Sequence, residues 1–208
     1  LAVLYLVLEF ARPQEILPGL RSLRLPMLNI GLLGIVLLTS GRVDLSHIQT
    51  KLFLAFLGLM AVHIPLAVNN YWAFQTTYSL VLTFIAYLGL VNFVDSFQKF
   101  QTLINVWVGI HLFLAVEGIK NKGVGIGGFL TDENDFALAL NMIVPLMFFL
   151  ALQAKTISKR IWFLLGTGLF LVCIFLTFSR GGFLGLGAVG FYCWLRSPQK
   201  LLSTITVV

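Results

Sequence analysis

Long apolar runs separated by short polar connections are the feature that most constrains the fold of this chain. They define nine candidate membrane-spanning segments: 1–11, 26–40, 52–68, 77–94, 103–117, 136–153, 161–178, 182–195 and 201 onward. A bilayer core of about 30 Å needs roughly 20 residues of apolar helix, whereas a membrane β-barrel needs alternating segments of about 10 residues. The unbroken runs therefore predict an all-α, polytopic transmembrane helix bundle with about seven complete spans.

The two ends of the sequence lie inside apolar runs, so we expect the first and last spans to be truncated. Residues 1–208 would then form a single transmembrane domain, the N-terminal fragment of a longer protein. Segments 26–40 and 182–195 are shorter than the usual range of about 17–25 residues, which leaves their ends or their depth in the membrane open.

Composition agrees with a membrane protein. Hydrophobic residues make up 59% of the chain and charged residues 11%, against roughly 25% charged residues in soluble domains. The net charge of +6 comes from basic residues that stand singly or in pairs between apolar runs. In that arrangement they set membrane topology and meet lipid phosphates, so we expect membrane lipids and no nucleic acid as partners.

Lysine and arginine residues in the short connections predict which side of the membrane each connection faces. Eight of them lie in loops 41–51, 95–102, 154–160 and 196–200, and three lie in the alternate set beyond the first loop. This difference places loop 69–76, loop 118–135 and the turn at Arg180 on the outer side. Loop 12–25 would lie there too, and its three arginines narrow the count to eight against six, so its sidedness stays open.

One charge interrupts the apolar stretch from 161 to 195: Arg180, which Gly181 and Gly182 follow. An arginine at a helix centre costs about 2.5–3.5 kcal/mol on insertion, which favours a turn between two spans near the outer headgroups. Its guanidinium suits a phosphate or pyrophosphate, and the glycines permit a positive-φ turn and close approach of backbone N–H groups to an anion. We predict an anion site here. An arginine that only marks the turn is the alternative, and the G-x-x-x-G spacing to Gly185 is typical of close helix packing.

A second polar cluster lies in the segment "TDENDFALALNMIVP". Asp132, Asn134 and Asp135 stand where a helix begins, and Asn134, Leu138, Asn141 and Pro145 fall along one helical stripe. A polar seam that continues into the membrane would suit a lipid-linked sugar entering between helices. Alternatively, the acidic residues only cap the helix and interact with its dipole.

No cofactor is expected from the remaining residues. Cys173 and Cys193 would lie about 9 Å apart along two helices joined at residue 180, too far for a disulfide, so we predict buried free thiols. The three histidines lack metal-ligand spacing, and the G-x-G-x-x-G match at Gly123 follows no strand, which excludes a dinucleotide site. We therefore expect neither a metal nor a nucleotide.

Three motifs together carry a resemblance to a known family. "GGFLTDENDFA" (127–137), a proline-containing helix, a basic inner loop and "LTFSRGG" (176–182) resemble the bacterial O-antigen ligase and polymerase superfamily. "ARPQEILP" (11–18) is similar to its O-glycosylation ligase subgroup. Members are polytopic inner-membrane glycosyltransferases. They move a glycan from undecaprenyl pyrophosphate to lipid A-core, a polysaccharide or a protein on the periplasmic face, without a nucleotide sugar or an obligatory metal.

The resemblance implies a role for the cluster around Arg180. Ser179, Arg180, Gly181 and Gly182 would bind the donor pyrophosphate. The family's large periplasmic loop, with its catalytic histidine, has no counterpart before Val208, so the catalytic residue is expected beyond it and the fragment is expected to be inactive. A transporter or flippase for a lipid-linked or amphipathic substrate is the alternative that the polar-seamed helix suggests. A non-catalytic membrane partner of a polysaccharide assembly system is a third.

Overall fold

The computed structural model describes residues 1–41 and 43–197, without the side chains of Pro18 and Arg21. Within these residues the chain is helical and contains no strand. Its α-helices there are α1 (Ala2–Leu6), α2 (Pro13–Ile16), α3 (Pro18–Arg21), α4 (Leu25–Ser40), α5 (Ile48–His63), α6 (Asn70–Phe93), α7 (Phe97–Lys120), α8 (Glu133–Gln153), α9 (Ile157–Leu176) and α10 (Arg180–Arg196). A π-helical segment (Val7–Ala11) continues α1, and 3-10 turns occupy Ile64–Leu66 and Gly128–Thr131.

Five helices in the described part of the chain are long and apolar enough to cross a membrane. They are Ile48–Leu66, α6, α7, α8 and α9. The helices over the two short predicted segments have 16 residues (α4) and 17 residues (α10). The protein is thus a helical membrane bundle, as the apolar runs predict. The predicted segment from 201 onward, together with Arg42 and Lys200, lies outside the described residues.

Several helices start earlier than their apolar runs, because capping residues rather than hydropathy set their ends. α6 begins at Asn70, where the side chain of Asn69 accepts the N–H of Trp72 at 3.1 Å. The predicted outer loop 69–76 is therefore mostly the first turns of a helix. α9 likewise begins at Ile157, behind a Thr156 cap. Polar residues such as Gln and Thr interrupt an apolar run without breaking a helix, so hydropathy alone placed these boundaries too late.

The contacts divide the chain into two compact units, and unit 1 holds residues 1–9 and 16–104. Its core consists of Ala2, Leu33, Leu37, Phe84 and Leu88. Around this core, the ring of Phe53 packs edge-on against Phe84 with centroids 5.0 Å apart. The prediction of one transmembrane domain over 1–208 stays a prediction.

Unit 2 holds residues 10–15 and 105–208, of which the structure describes those up to 197. Helix α8 is its centre, since nine of its 21 residues are buried. It packs against both α9 and α10. The free thiols of Cys173 and Cys193 are buried in this unit, as predicted. Both predicted polar clusters belong to unit 2.

Candidate functional site

The two polar clusters, 45 residues apart in sequence, meet where α8 and α10 begin. The hydroxyl of Ser179 donates a hydrogen bond to Oδ1 of Asn134 at 2.6 Å. The same oxygen accepts the backbone N–H of Gly182 at 2.8 Å, which makes Ser179 the N-cap of α10. Ser179 is only 5% exposed. One buried hydroxyl therefore both starts α10 and holds it against α8.

Below this contact, α8 and α10 run side by side in the same direction. The amide nitrogen of Asn141 donates to the carbonyl of Gly182 at 3.0 Å. A β-carbon on Gly182 would lie 2.6 Å from Cβ of Ala137, and one on Gly185 would lie 3.0 Å from Nδ2 of Asn141. Successive turns of α10 thus face successive turns of α8. Small residues make this close approach possible, which is the packing that the G-x-x-x-G spacing suggests.

The positive-φ turn that Gly181 and Gly182 would permit does not form at these residues. Both residues lie in the first turn of α10, and the left-handed residue before the helix is Phe178, with φ of +50°. The reason is the Ser179 cap, which requires the next residues to be helical so that the N–H of Gly182 reaches the hydroxyl. The glycine at 182 serves contact with α8. Gly181 is exposed, yet it also approaches α8, because a β-carbon there would lie 3.2 Å from Oδ1 of Asn134.

Arg180 is the first residue of α10 and not a residue of the turn before it. Its side chain is exposed. Among the described residues it has neither a hydrogen-bond nor an ion-pair partner, and the first turn of α10 contains no acidic residue. A cation at a helix N-terminus is opposed by the helix dipole. No hydrogen bond or ion pair within the described residues therefore engages the guanidinium of Arg180, which leaves it available to an anion.

The acidic residues at the start of α8 have a different role. Oδ1 of Asp132 accepts the N–H of Asn134 at 2.9 Å and that of Asp135 at 3.2 Å, so Asp132 is the N-cap of α8. Glu133 and Asp135 are exposed in the first turn, where their charge interacts favourably with the helix dipole. Of the predicted residues of this cluster, the structure brings Asn134 and Asn141 into contact with α10. It gives Asp132 the capping role, and among the described residues the side chain of Asp135 has neither a hydrogen bond nor an ion pair to α10.

Asn141 places an unsatisfied polar atom inside the helix pair. The residue is 3% exposed, and its Oδ1 has no hydrogen-bond partner among the described residues. Leu138, between Asn134 and Asn141 on the predicted stripe, is 60% exposed. The polar seam is therefore confined to the line of contact with α10. A buried acceptor of this kind favours a nearby hydroxyl or water donor.

An apolar cavity of about 480 Å³ continues along the same seam. Its lining includes Val144 and Phe148 of α8, Gly168 and Phe175 of α9, and Leu186 and Gly190 of α10. Val144 and Leu186 each lie about one helical turn beyond the Asn141–Gly182 contact. This cavity could not be predicted from the sequence, because three helices form it together. The one sequence signal is the presence of glycine within runs of large apolar residues.

The connection 121–132 folds over the same end of unit 2. Gly123 has φ of +91° and lies against the carbonyl of Leu176, so closely that a β-carbon would overlap that carbonyl. Its N–H donates to the carbonyl of Gly118 at 2.7 Å. This connection thus lies together with the end of α9 and the starts of α8 and α10.

Among the described residues, no group of three or more His, Cys, Asp or Glu side chains could hold a metal ion.

Comparison with known proteins adds nothing to this geometry. No family model matches the chain, and neither a curated protein nor a solved structure does.

Proposed function

We propose that this chain is part of a bacterial inner-membrane glycosyltransferase, similar to O-antigen ligases, that uses a lipid-linked pyrophosphate donor. It would transfer the glycan from undecaprenyl pyrophosphate to lipid A-core, a polysaccharide or a protein on the periplasmic face. The observation that carries the proposal is the exposed and unpaired Arg180 at the start of α10. It stands at one end of the α8–α10 pair, which together with α9 lines an apolar cavity farther along. This arrangement suits an amphipathic anion with a charged head and a hydrocarbon chain.

The start of α10 offers several donors to such a head group. Of its first four N–H groups, those of Gly182 and Phe183 bind the hydroxyl and the carbonyl of Ser179. The N–H groups of Arg180 and Gly181 have no partner within the described chain. Together with the guanidinium fork they provide donors to the oxygens of a diphosphate. Because Gly181 has no side chain, an oxygen can approach its N–H closely.

Donor binding by these groups would assist glycosyl transfer. An acceptor oxygen attacks the anomeric carbon of the glycan, and the bond from that carbon to the pyrophosphate breaks with its electron pair leaving on the pyrophosphate. Arg180 and the adjacent N–H groups stabilise the charge that develops there. The acceptor proton passes to a general base.

Binding of a polyprenyl diphosphate to the protein in lipid nanodiscs tests the proposal. We expect Arg180→Ala to weaken binding at least about tenfold, since a charge-assisted, bidentate contact is lost. Arg180→Lys should restore part of the affinity, because it keeps the charge without the planar fork. The control is Arg196→Ala, which removes an exposed arginine from the other end of α10. Equal affinities of the Arg180→Ala and Arg196→Ala variants contradict the proposed donor site.

A second assay, on proteoliposomes that contain a lipid-linked glycan, distinguishes a flippase from a glycosyltransferase. Movement of the glycan lipid between leaflets, with no transfer to any acceptor by the intact protein in cells, would replace the glycosyltransferase proposal with a flippase. Transfer that depends on Arg180 supports the enzyme.

A further inference from the structure

We infer that Arg12 is a positioning residue for the site at the start of α8 and α10. Its guanidinium holds the turn 127–131, which leads directly into the N-cap of α8. The contact stands independently of any activity. Its effect on donor binding rests on the proposed function.

The guanidinium of Arg12 lies in close contact with this turn. Its central carbon is 5.4 Å from the ring centroid of Phe129, a cation–π contact. It also lies against Gly128, where a β-carbon would overlap the guanidinium nitrogens. Gly128 has φ of +54°, a conformation that disfavours other residues. The absence of a side chain at 128 thus leaves room for the arginine.

The segment that carries Arg12 is itself fixed by aromatic packing. The ring of Phe10 packs edge-on against Trp107 of α7 with centroids 4.8 Å apart. The same ring packs edge-on against Phe129 with centroids 5.8 Å apart. Arg12 has φ of +48°, which is uncommon for a residue with a side chain and persists only where the surroundings determine it. Segment 10–15 therefore joins α7 to the turn in one defined arrangement.

The turn transmits its position to the candidate site through short connections. Leu130 is fully buried, and its carbonyl accepts the N–H of Gly125 at 2.8 Å. The hydroxyl of Thr131 donates to the carbonyl of Gly128 at 2.7 Å. The next residue, Asp132, caps α8. Two residues later, Oδ1 of Asn134 accepts the hydrogen bond that the Ser179 hydroxyl donates. A shift of the turn would therefore move the residue against which α10 is held.

This assignment changes the sequence-based view of Arg12. If loop 12–25 lies on the outer side, its arginines are expected to contribute to one anion-binding surface with Arg180. The guanidinium of Arg12 packs against the turn 127–131, so in this proposal it acts on the site through the start of α8.

Hydrogen–deuterium exchange of the protein in nanodiscs tests the contact. In Arg12→Ala we expect amide exchange in 124–136 to rise about tenfold or more, because the turn opens locally, while exchange in α9 stays unchanged. In Arg12→Lys, amide exchange in 124–136 should be intermediate between that of the wild type and that of Arg12→Ala, because lysine keeps the charge but lacks the flat guanidinium that stacks on Phe129. The control is Arg24→Ala, which removes an exposed arginine whose backbone has a similar φ of +44°. Gly128→Ala changes the same contact from the other side and should raise exchange in the same segment.

Polyprenyl diphosphate affinity, measured on the same variants, separates the two proposals. Positioning predicts that Arg12→Ala weakens binding several-fold, and less than Arg180→Ala does. Unchanged exchange in 124–136 overturns the role of Arg12. Faster exchange with wild-type affinity, while Arg180→Ala still loses binding, overturns the positioning of the donor site. If neither variant affects binding but exchange rises, the hold on the turn is upheld and the proposed donor role is overturned.

Discussion

Ser179 and Asn134 share a hydrogen bond of 2.6 Å between hydroxyl and amide oxygen, and this bond joins the first turns of two parallel helices. Ser179 also caps α10 through the N–H of Gly182. The consequence is that the backbone N–H groups of α10, the side chain of Arg180 and the start of α8 keep a fixed relation. A candidate anion site built on a helix start needs such fixed donors, because preorganised donors need no reordering when the anion binds.

Replacement of Ser179 by alanine should cost more stability than loss of an ordinary cap. An N-cap contributes about 1 kcal/mol, and the bond to Asn134 adds about 0.5–1.5 kcal/mol. The comparison is Thr156→Ala, which removes the cap of α9, where the hydroxyl accepts the N–H of Lys159 at 3.4 Å. Unfolding free energies in mixed micelles measure both. A double-mutant cycle of Ser179→Ala with Asn134→Ala should show a coupling free energy. If Ser179→Ala and Thr156→Ala lower the free energy of unfolding equally and the cycle shows no coupling, the interhelical hydrogen bond does not contribute to stability.

Gly182→Ala should destabilise the α8–α10 pair by about 1–3 kcal/mol, the usual cost of overpacking. The added methyl group would lie 2.6 Å from Cβ of Ala137, and both carbons are attached to helix backbone, so neither can swing aside. Gly187→Ala is the matched control in the same helix, since a β-carbon there meets nothing within 4 Å. It should be neutral or stabilising by up to about 1 kcal/mol. Unfolding measurements on both variants, and on Gly182→Ala combined with Ala137→Gly, check the prediction. The combination should recover part of the lost stability, since only the contact with Ser179 at 3.2 Å remains, and a complete lack of recovery contradicts the contact with Ala137.

The carboxyl of Asp44 should titrate below its ordinary range. Hydrogen bonds from the side chain and the backbone N–H of Ser46 hold its pKa down, the latter at 2.7 Å, and His47 and Lys51 add smaller electrostatic effects. A depressed folded pKa means that the stabilising contribution is present above the unfolded pKa and is lost as pH falls through the folded pKa. Carbon-13 NMR of the carboxyl measures the shift. Ser46→Ala should bring the pKa of Asp44 closer to its ordinary value, and an unchanged pKa would contradict the assigned cause.

The sequence was sufficient for the fold class and for the two polar clusters, because both are local properties. Apolar runs of bilayer length indicate membrane helices wherever they occur in a chain. The N-cap at Asp132 also follows from local capping preferences. The position of Arg180 was correct to within one residue. The error lay in the glycines after it, which permit a turn but are used here for helix packing.

The contacts between elements could not be predicted, because they depend on which helices become neighbours. Nothing local pairs Asn134 with Ser179, or Arg12 with Gly128. The small residues at 137, 182 and 185 fit a close helix contact, yet they do not identify the partner helix. The unsatisfied Oδ1 of Asn141 shows the same limit, since a sequence reveals a polar residue but not its burial.

Filling the apolar cavity should weaken binding of the lipid chain without affecting the charged head. Gly168 lines the cavity, and a β-carbon built there meets nothing within 4 Å, so Gly168→Leu can occupy the space without a clash near the backbone. Each buried CH₂ that the ligand loses costs about 0.8 kcal/mol, so displacing two would lower polyprenyl diphosphate affinity by about tenfold. Inorganic pyrophosphate, which has no chain, should bind this variant as it binds the wild type. Gly187→Leu places the same side chain in open space of α10, and it should leave both affinities unchanged. Calorimetric titration of both ligands decides the matter: if Gly168→Leu weakens pyrophosphate and polyprenyl diphosphate equally, the variant has disturbed the start of α10, and the cavity does not hold the chain.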